Sequence, residues 1–240
     1  YFMVNMGMNP WLAVIISLVI CTVIGFLNGW VIAEIKMPPI IVTFASQTIL
    51  AGCAYLICNG RPISRFDAGF LKIGQGYLGP IPVPIIIMII AFIIGAFILV
   101  KTYFGRYFYA LGGNEEAAEL SGIRVKRVKY LVYALSGLFA GIAGIVMLSR
   151  ANTAQPNAGV GYEFDVITCV VLGGVSVNGG SGKISNVIAG VLIIGAMSNG
   201  MILMNVSSYM QMVVKGIILL IAVGFDCIQQ VNLMKAKKAA

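Results

Sequence analysis

The stretch GGNEEAAELSGIRVKRVK, from Gly112 to Lys129, is the longest charged passage of the chain, and apolar runs long enough to cross a bilayer flank it. Asn114 is a residue type that caps helices, and Gly122 suits the left-handed conformation that ends them. Glu115 and Glu116 would stabilise the first turn of such a helix, where the helix dipole is positive. The sequence therefore predicts about two turns of helix, followed by a basic segment at the inner surface of a membrane.

Two interpretations of this short helix stay open at the level of sequence. A charged run beside a membrane span is commonly a topology signal, which favours a solvated connecting loop. A helix of about two turns is marginal by itself in water, so an ordered one needs a partner that packs on it. Ala117 and Ala118 would give the helix a face of small side chains, which favours docking of a cytoplasmic protein.

The composition is that of an integral membrane protein. Hydrophobic residues make up 60% of the 240 residues, charged residues 10%, and the mean hydropathy is +0.98. The formal net charge of +8 would suggest a nucleic-acid partner in a soluble chain. Here the cations lie beside apolar spans, so the expected partner is the lipid bilayer and not nucleic acid. The chain has no histidine, and its five cysteines lack the spacing of metal ligands.

Six apolar runs are long enough to span the hydrocarbon core, which needs roughly 20 residues. The loop at residues 101–130 carries six of the sixteen basic residues, so the positive-inside rule places this loop in the cytoplasm. The same rule places the C-terminal tail there, because it carries Lys235, Lys237 and Lys238. The apolar runs cover residues 11–32, 40–58, 81–100, 130–149, 184–204 and 208–225.

Small residues mark one face of the fourth apolar run as an interface with another helix. Gly137, Ala140, Gly141 and Gly144 include a GxxxG pair, and side chains of this size let two helices approach closely. Residues 59–80, in contrast, are rich in glycine and proline and predict an exposed loop.

A broken helix is predicted between the fourth and fifth runs. A cytoplasmic tail requires residues 150–183 to cross the membrane an odd number of times, yet their one apolar stretch is Phe164–Val175. Twelve helical residues reach only about 18 Å of the roughly 30 Å needed. We therefore expect irregular backbone in the glycine-rich VNGGSGK, residues 177–183, and a pathway wall there, since such backbone needs protein or water around it. A re-entrant loop that never crosses is the alternative.

The predicted fold is thus an all-α polytopic transmembrane helix bundle of about seven crossings, one of them broken, in a single domain over residues 1–240. No nucleotide site is evident. GGSGK resembles the end of a P-loop, but Val177 stands where its first glycine belongs and Ile184 where its serine or threonine belongs. Without a histidine or an activated nucleophile, we expect no enzymatic activity, no bound cofactor and no metal site.

Polar residues inside the apolar runs are candidates for a transport pathway, although hydrogen bonds between helices would explain the same residues. Lys215 lies near the middle of the last run, where a charge needs an ionic partner or a polar cavity. A structural ion pair and a pathway residue are equal alternatives for it. The pathway candidates are Asn28, Thr43, Ser46, Gln47, Thr168, Asn199, Gln211 and Lys215, and the candidates for the outer mouth are Arg150, Glu163 and Asp165.

Several segments carry a resemblance to one family of transport proteins. Glu116, Ala117, Ala118 and Gly122 reproduce the E-A-A-x-x-x-G core found in the cytoplasmic loop of ABC importer permeases, although the Ile-x-Leu-Pro of the fuller pattern is absent. Longer segments resemble the membrane permease subunit of ribose-type carbohydrate ABC importers, the inner-membrane component of binding-protein-dependent transport systems. These segments begin with GFLNGW, GRPIS, GRYFYAL, AQPNAG and SSYMQM, and together they cover most of residues 25–225.

This resemblance implies import of a ribose-like pentose, a hexose or a related carbohydrate through a bacterial plasma membrane. The expected partners are a second permease subunit, identical or not, a cytoplasmic ABC ATPase that holds ATP and magnesium, and an extracytoplasmic sugar-binding protein. Members of the family normally carry about three further N-terminal crossings, so the resemblance also implies an N-terminally incomplete chain. The residues implied to couple to the ATPase are Glu115, Glu116, Ala117, Ala118 and Gly122.

Three other functions remain as alternatives. A branched-chain amino acid ABC permease has a similar architecture. An ion-coupled or proton-coupled carrier using Lys215 would need no ATPase, and a membrane anchor would transport nothing.

Overall fold

The structure is a computed structural model that describes the backbone of residues 1–239 and the side chains of residues 1–228. The predicted cytoplasmic lysines Lys235, Lys237 and Lys238 lie outside the described side chains.

Helices dominate the described backbone. A π-helical turn, Phe97–Lys101, follows α4, and four two-residue strands form the antiparallel pairs β1 with β4 and β2 with β3. The strands are β1 (Ile63–Ser64), β2 (Tyr77–Leu78), β3 (Ile81–Pro82) and β4 (Thr153–Ala154). The α-helices are α1 (Pro10–Ile35), α2 (Pro39–Cys58), α3 (Ala68–Gln75), α4 (Val83–Ala96), α5 (Tyr103–Gly113), α6 (Glu115–Leu120), α7 (Val125–Ala151), α8 (Tyr162–Leu172), α9 (Ile184–Leu203) and α10 (Ser208–Ala239).

Six helices of the described chain are long and apolar enough to cross a membrane, and each coincides with a predicted run. This confirms an all-α polytopic fold. The spans are Pro10–Ile35, Pro39–Cys58, Val83–Lys101, Val125–Ala151, Ile184–Leu203 and Ser208–Ile228.

The predicted broken segment is also present. α8 has 11 residues, which at 1.5 Å rise per residue extend about 16 Å. Non-helical backbone follows it as far as Lys183, with positive φ angles at Gly174, Gly179, Gly180 and Gly182. A seventh crossing through α8 stays a prediction.

The predicted exposed loop at residues 59–80 is wrong in one respect, because it contains the helix α3. Asp67 caps α3 by accepting a hydrogen bond from the Gly69 amide at 2.7 Å, and the Phe70 side chain is only 2% exposed. Tertiary packing against α7 stabilises α3 despite its glycines and its length of eight residues.

The predicted cytoplasmic loop at residues 101–130 is also more helical than expected. It contains α5, which was not predicted, and the start of α7. The basic segment therefore belongs largely to the first turns of α7, since the side chains of Val125 and Val128 are buried and extend the packed helix.

The backbone divides into two compact units. The first unit comprises Tyr1–Phe108 and Glu116–Ala158, and the second comprises Tyr109–Glu115 and Gly159–Ala240. The expectation of a single permease domain stays a prediction.

The first unit is centred on the close packing of α1 against α7. A Cβ atom added to Gly25 would lie 3.1 Å from the Cα of Gly137, and one added to Gly141 would lie 3.0 Å from the Cβ of Cys21. The helices can approach this closely because Gly25, Gly137 and Gly141 carry no side chain. This confirms the predicted interface at two glycines, whereas a Cβ at Gly144 would meet no atom within 4 Å.

The second unit packs the short helix α8 against α9 and α10. Glycines again allow backbone contact: a Cβ added to Gly173 would lie 2.7 Å from the carbonyl oxygen of Asn186, and one added to Gly190 would lie 3.1 Å from the Gly173 nitrogen.

Candidate functional site

A cavity of about 310 Å³ lies in the first unit between α1, α2 and α7. Its polar lining includes the predicted pathway residues Asn28 and Thr43, and the Asn28 amide donates a hydrogen bond to Ser46 Oγ at 3.1 Å. The structure therefore brings three of the predicted residues together. The complete lining is Cys21, Ile24, Gly25, Asn28, Thr43, Leu50, Tyr133, Ser136, Gly137, Ala140 and Gly141.

Two polar residues of this cavity were missed in the sequence. Tyr133 and Ser136 lie on α7 and share a helical face with Gly137, Ala140 and Gly141, at spacings of three and four residues. That spacing was the available signal, since residues on the face of a GxxxG contact must lie near the same helix crossing.

The cavity carries no charged side chain among its lining residues. Its polar groups are one amide, hydroxyls and a thiol, which exchange neutral hydrogen bonds. The lining is mostly apolar, and a charged ligand would lose its hydration there without gaining an opposite charge.

The remaining pathway candidates do not line this cavity. Gln47 and Asn199 are exposed on α2 and α9. Thr168 is buried, and its hydroxyl donates to a carbonyl of its own helix at 2.6 Å. The Gln211 amide donates to the Val206 carbonyl at 2.9 Å, at the start of α10. Pathway roles for these four residues stay predictions.

Lys215 of α10 forms an ion pair with Asp165 of α8, with 2.6 Å between Nζ and Oδ2. The side chains are 25% and 28% exposed, so water screens the pair only in part. Glu163, two residues before Asp165, accepts a hydrogen bond from the Gly161 amide at 3.1 Å. Arg150 is an exposed residue of the first unit. The outer-mouth role of Arg150, Glu163 and Asp165 stays a prediction.

A second polar contact joins α1 to α7 in the first unit. Lys126 Nζ lies 2.5 Å from Glu34 Oε2, and the Tyr130 hydroxyl donates to Glu34 Oε1 at 2.5 Å. The Phe26 ring packs edge-on against Tyr130, with 5.4 Å between ring centroids. These residues were not singled out in the sequence, since nothing in a linear reading pairs positions that are 92 residues apart.

The predicted short helix is present as α6. Gly122 has φ 83°, and the Ile123 amide donates to the Ala118 carbonyl at 3.1 Å, so a left-handed glycine ends the helix as predicted. Ala118 is buried, whereas Leu120 is 90% exposed. The other predicted coupling residues of this helix have exposed side chains. They are Glu115, Glu116 and Ala117.

Six long apolar helices among the described residues, with an uncharged and mostly apolar cavity between three of them, define a polytopic membrane protein. The chain belongs to the family described as the branched-chain amino acid transport system permease component, which matches residues 1–223.

Curated relatives narrow this class. The chain is 48% identical over 226 residues to the ribose import permease protein of Bacillus subtilis, covering 93% of the chain and 70% of the relative. It is 43% identical over 235 residues to the L-arabinose transport system permease protein of Escherichia coli K12, covering 98% of the chain and 70% of the relative. No solved structure matches the chain. The six spans and these relatives indicate a multi-pass protein of a bacterial inner membrane.

Proposed function

We propose that this chain is the membrane subunit of an ATP-driven importer that carries a ribose-like pentose, a hexose or a related carbohydrate into the cytoplasm. The observation that carries the proposal is the identity of 43–48% with permeases named for ribose and L-arabinose, over more than nine-tenths of the chain. The family description names branched-chain amino acids, but these individual relatives are more specific than the family as a whole.

The cavity between α1, α2 and α7 offers no charged side chain to the ionised groups of an amino acid. Its volume of about 310 Å³ is at the lower end of the roughly 300–1,000 Å³ typical of small-ligand sites. An amino acid carries both an ammonium and a carboxylate group. No lining residue has a charged side chain that would pair with either group. Asn28, Thr43, Ser136 and Tyr133 instead suit the hydroxyls of a sugar.

The energy source in this proposal is ATP hydrolysed with magnesium on a separate cytoplasmic ABC ATPase. α6 is the proposed docking element, because it exposes three carboxylates and the apolar Leu120, while the buried Ala118 packs against the protein. α6 and the C-terminus then lie in the cytoplasm, a second permease subunit completes the pathway, and an extracytoplasmic binding protein delivers the sugar. The Asp165 partner of Lys215 accounts for that charge without an ion-coupled mechanism.

Uptake into proteoliposomes that contain the permease, its ATPase and its binding protein tests this function. We expect ATP-dependent uptake of a labelled pentose or hexose and none of leucine. Uptake of leucine alone would identify an amino acid permease, and sugar uptake driven by a proton gradient without ATP would identify a secondary carrier.

Thr43 and Thr48 provide a matched pair of variants for the cavity. Both lie on α2, and both hydroxyls donate to carbonyls of their own helix, but only Thr43 lines the cavity. Thr43→Val should raise the sugar concentration for half-maximal transport about two- to tenfold, which corresponds to the free energy of one lost hydrogen bond. Thr48→Val should leave that concentration unchanged. Equal effects of the two substitutions would remove the cavity from the pathway.

A further inference from the structure

The end of α5 makes direct backbone contact with the glycine-rich segment that follows α8, and both lie in the second unit. A Cβ atom added to Gly112 would lie 2.6 Å from the Gly180 nitrogen, and one added to Gly179 would lie 2.8 Å from the Gly112 oxygen. The end of α5 and the glycine-rich segment are too close for a side chain to fit between their backbones. The contact therefore depends on glycine on both sides.

One side chain reinforces this contact. The Tyr109 hydroxyl, one turn before Gly112 on α5, donates a hydrogen bond to the Gly182 carbonyl at 3.0 Å. Tyr109 is thus joined to the same segment that Gly112 touches. The end of α5 is held by a hydrogen bond and by backbone packing together.

The glycine-rich segment is itself an ordered turn. The Ser176 amide donates to the Ser181 carbonyl at 3.1 Å, and Gly179 and Gly180 have φ angles of 87° and 75°, which favour glycine. The Val177 amide donates to Asp226 Oδ2 of α10 at 3.1 Å. This turn therefore contacts α10 as well as α5, and it continues directly from α8.

The position of this contact along the chain gives it mechanical significance. Gly113 ends α5, and Glu115 begins α6 two residues later. On the other side, the turn follows α8, whose Asp165 pairs with Lys215 of α10. A displacement of the first residue of α6 must move the end of α5 or strain the connection between them, which is the single residue Asn114.

We propose that the contact of Gly112 with Gly179 and Gly180, together with the Tyr109 hydrogen bond, is the joint through which movement of α6 reaches α8 during transport. Gly112 and Tyr109 are then positioning residues that touch neither sugar nor ATP. The inference rests on the proposed function, in which α6 docks on the ATPase, and it adds the route by which that docking acts on the membrane helices.

Gly112 and Gly113 provide a matched pair for the test. Both end the same helix, but a Cβ added to Gly113 would meet no atom within 4 Å. In proteoliposomes with the ATPase and the binding protein, we would measure three quantities for Gly112→Ala, Gly113→Ala and Tyr109→Phe: co-purification of the ATPase, ATP hydrolysis and sugar taken up per ATP hydrolysed.

The complex with Gly112→Ala should still contain the ATPase and hydrolyse ATP, but it should import about tenfold less sugar per ATP hydrolysed. A change of that size lies within the range of coupling free energies altered by substitutions between two coupled sites. Gly113→Ala should match the unmodified protein, and Tyr109→Phe should show a smaller loss of about two- to threefold, because it removes one hydrogen bond only. If Gly112 and Tyr109 served only to stabilise the fold, their substitution would lower ATPase co-purification, ATP hydrolysis and sugar uptake together. The ratio of sugar imported to ATP hydrolysed would then stay unchanged.

Equal ratios of sugar to ATP for Gly112→Ala and Gly113→Ala would overturn the inference. If Gly112→Ala gives no folded protein, Tyr109→Phe decides, and a normal ratio in that variant overturns it as well. Failure of the unmodified complex to import sugar with ATP would instead refute the proposed function, so the two failures can be told apart.

Discussion

Removing one partner of the Lys215–Asp165 ion pair should destabilise the protein by about 2 kcal/mol. Lys215 lies about 10 Å along α10 from its first residue, Ser208. A lone charge near the middle of a membrane span costs roughly 2.5–3.5 kcal/mol. Because both side chains are about one-quarter exposed, water reduces that cost, and about 2 kcal/mol remains for whichever charge is left unpaired.

A double-mutant cycle in detergent measures this effect. Lys215→Met and Asp165→Asn should each lower the unfolding temperature by about 4–8 °C, since 1 kcal/mol corresponds to roughly 2–4 °C in a chain of this size. The double variant carries no unpaired charge, so it should lose about 1–2 kcal/mol less than the sum of the single losses.

Additive losses in that cycle would refute a structural ion pair. Sugar uptake then identifies the other role: a Lys215→Met protein with normal thermal stability and defective uptake would make Lys215 a pathway residue. Normal uptake per folded molecule is the outcome expected of the structural pair.

Four further substitutions follow from the contacts within the first unit. Gly137→Ala should destabilise the protein by about 1–3 kcal/mol through overpacking against the α1 backbone, whereas Gly144→Ala should be neutral or slightly stabilising in thermal unfolding, since its Cβ would meet no atom. Ser149→Ala should cost about 2–3 kcal/mol in the same assay, because the fully buried hydroxyl exchanges two hydrogen bonds with the α3 backbone. Glu34→Gln should lower the unfolding temperature only slightly, and the loss should shrink in high salt, because its Lys126 partner is 58% exposed and solvent screens the pair.

The long spans could be predicted from sequence because each one is a local property of the chain. About 20 consecutive apolar residues specify a membrane helix almost regardless of its neighbours. The end of α6 was equally local, since Gly122 supplies the left-handed conformation by itself.

The elements that were missed depend on distant contacts. α3 is stabilised by Phe70 and by the Ser149 hydroxyl, which accepts from the Gly74 amide at 2.7 Å across 75 residues of sequence. α5 has one glycine in its first turn, two at its end and five aromatic residues between Tyr103 and Tyr109, a composition that does not favour a helix in isolation. The capping residue Asp67 was a local signal for the start of α3. The stability of both helices, however, depends on packing that a local pattern does not show.

The candidate site shows the same division. Asn28, Thr43 and Ser46 could be found because polar residues inside apolar runs are rare and expensive to bury. Which of the eight pathway candidates share a cavity depends on the α1–α7 crossing. The partner of Lys215 was likewise undetermined, since the choice between an ion pair and a pathway residue depends on where α8 packs.

Two kinds of glycine contact suggest how rigidity is distributed in this protein. Gly25 and Gly137 lie inside regular helices, where the missing side chains let α1 and α7 touch along their backbones and where any sliding would create clashes. Gly179 and Gly180 lie in a turn with positive φ angles, outside any helical hydrogen-bond ladder. Bending such a turn breaks few hydrogen bonds, whereas bending α1 or α7 would break many. Alternating access usually moves rigid bodies around a fixed site, so we expect the α1–α7 wall of the cavity to keep its shape while α8 and its glycine-rich turn change conformation.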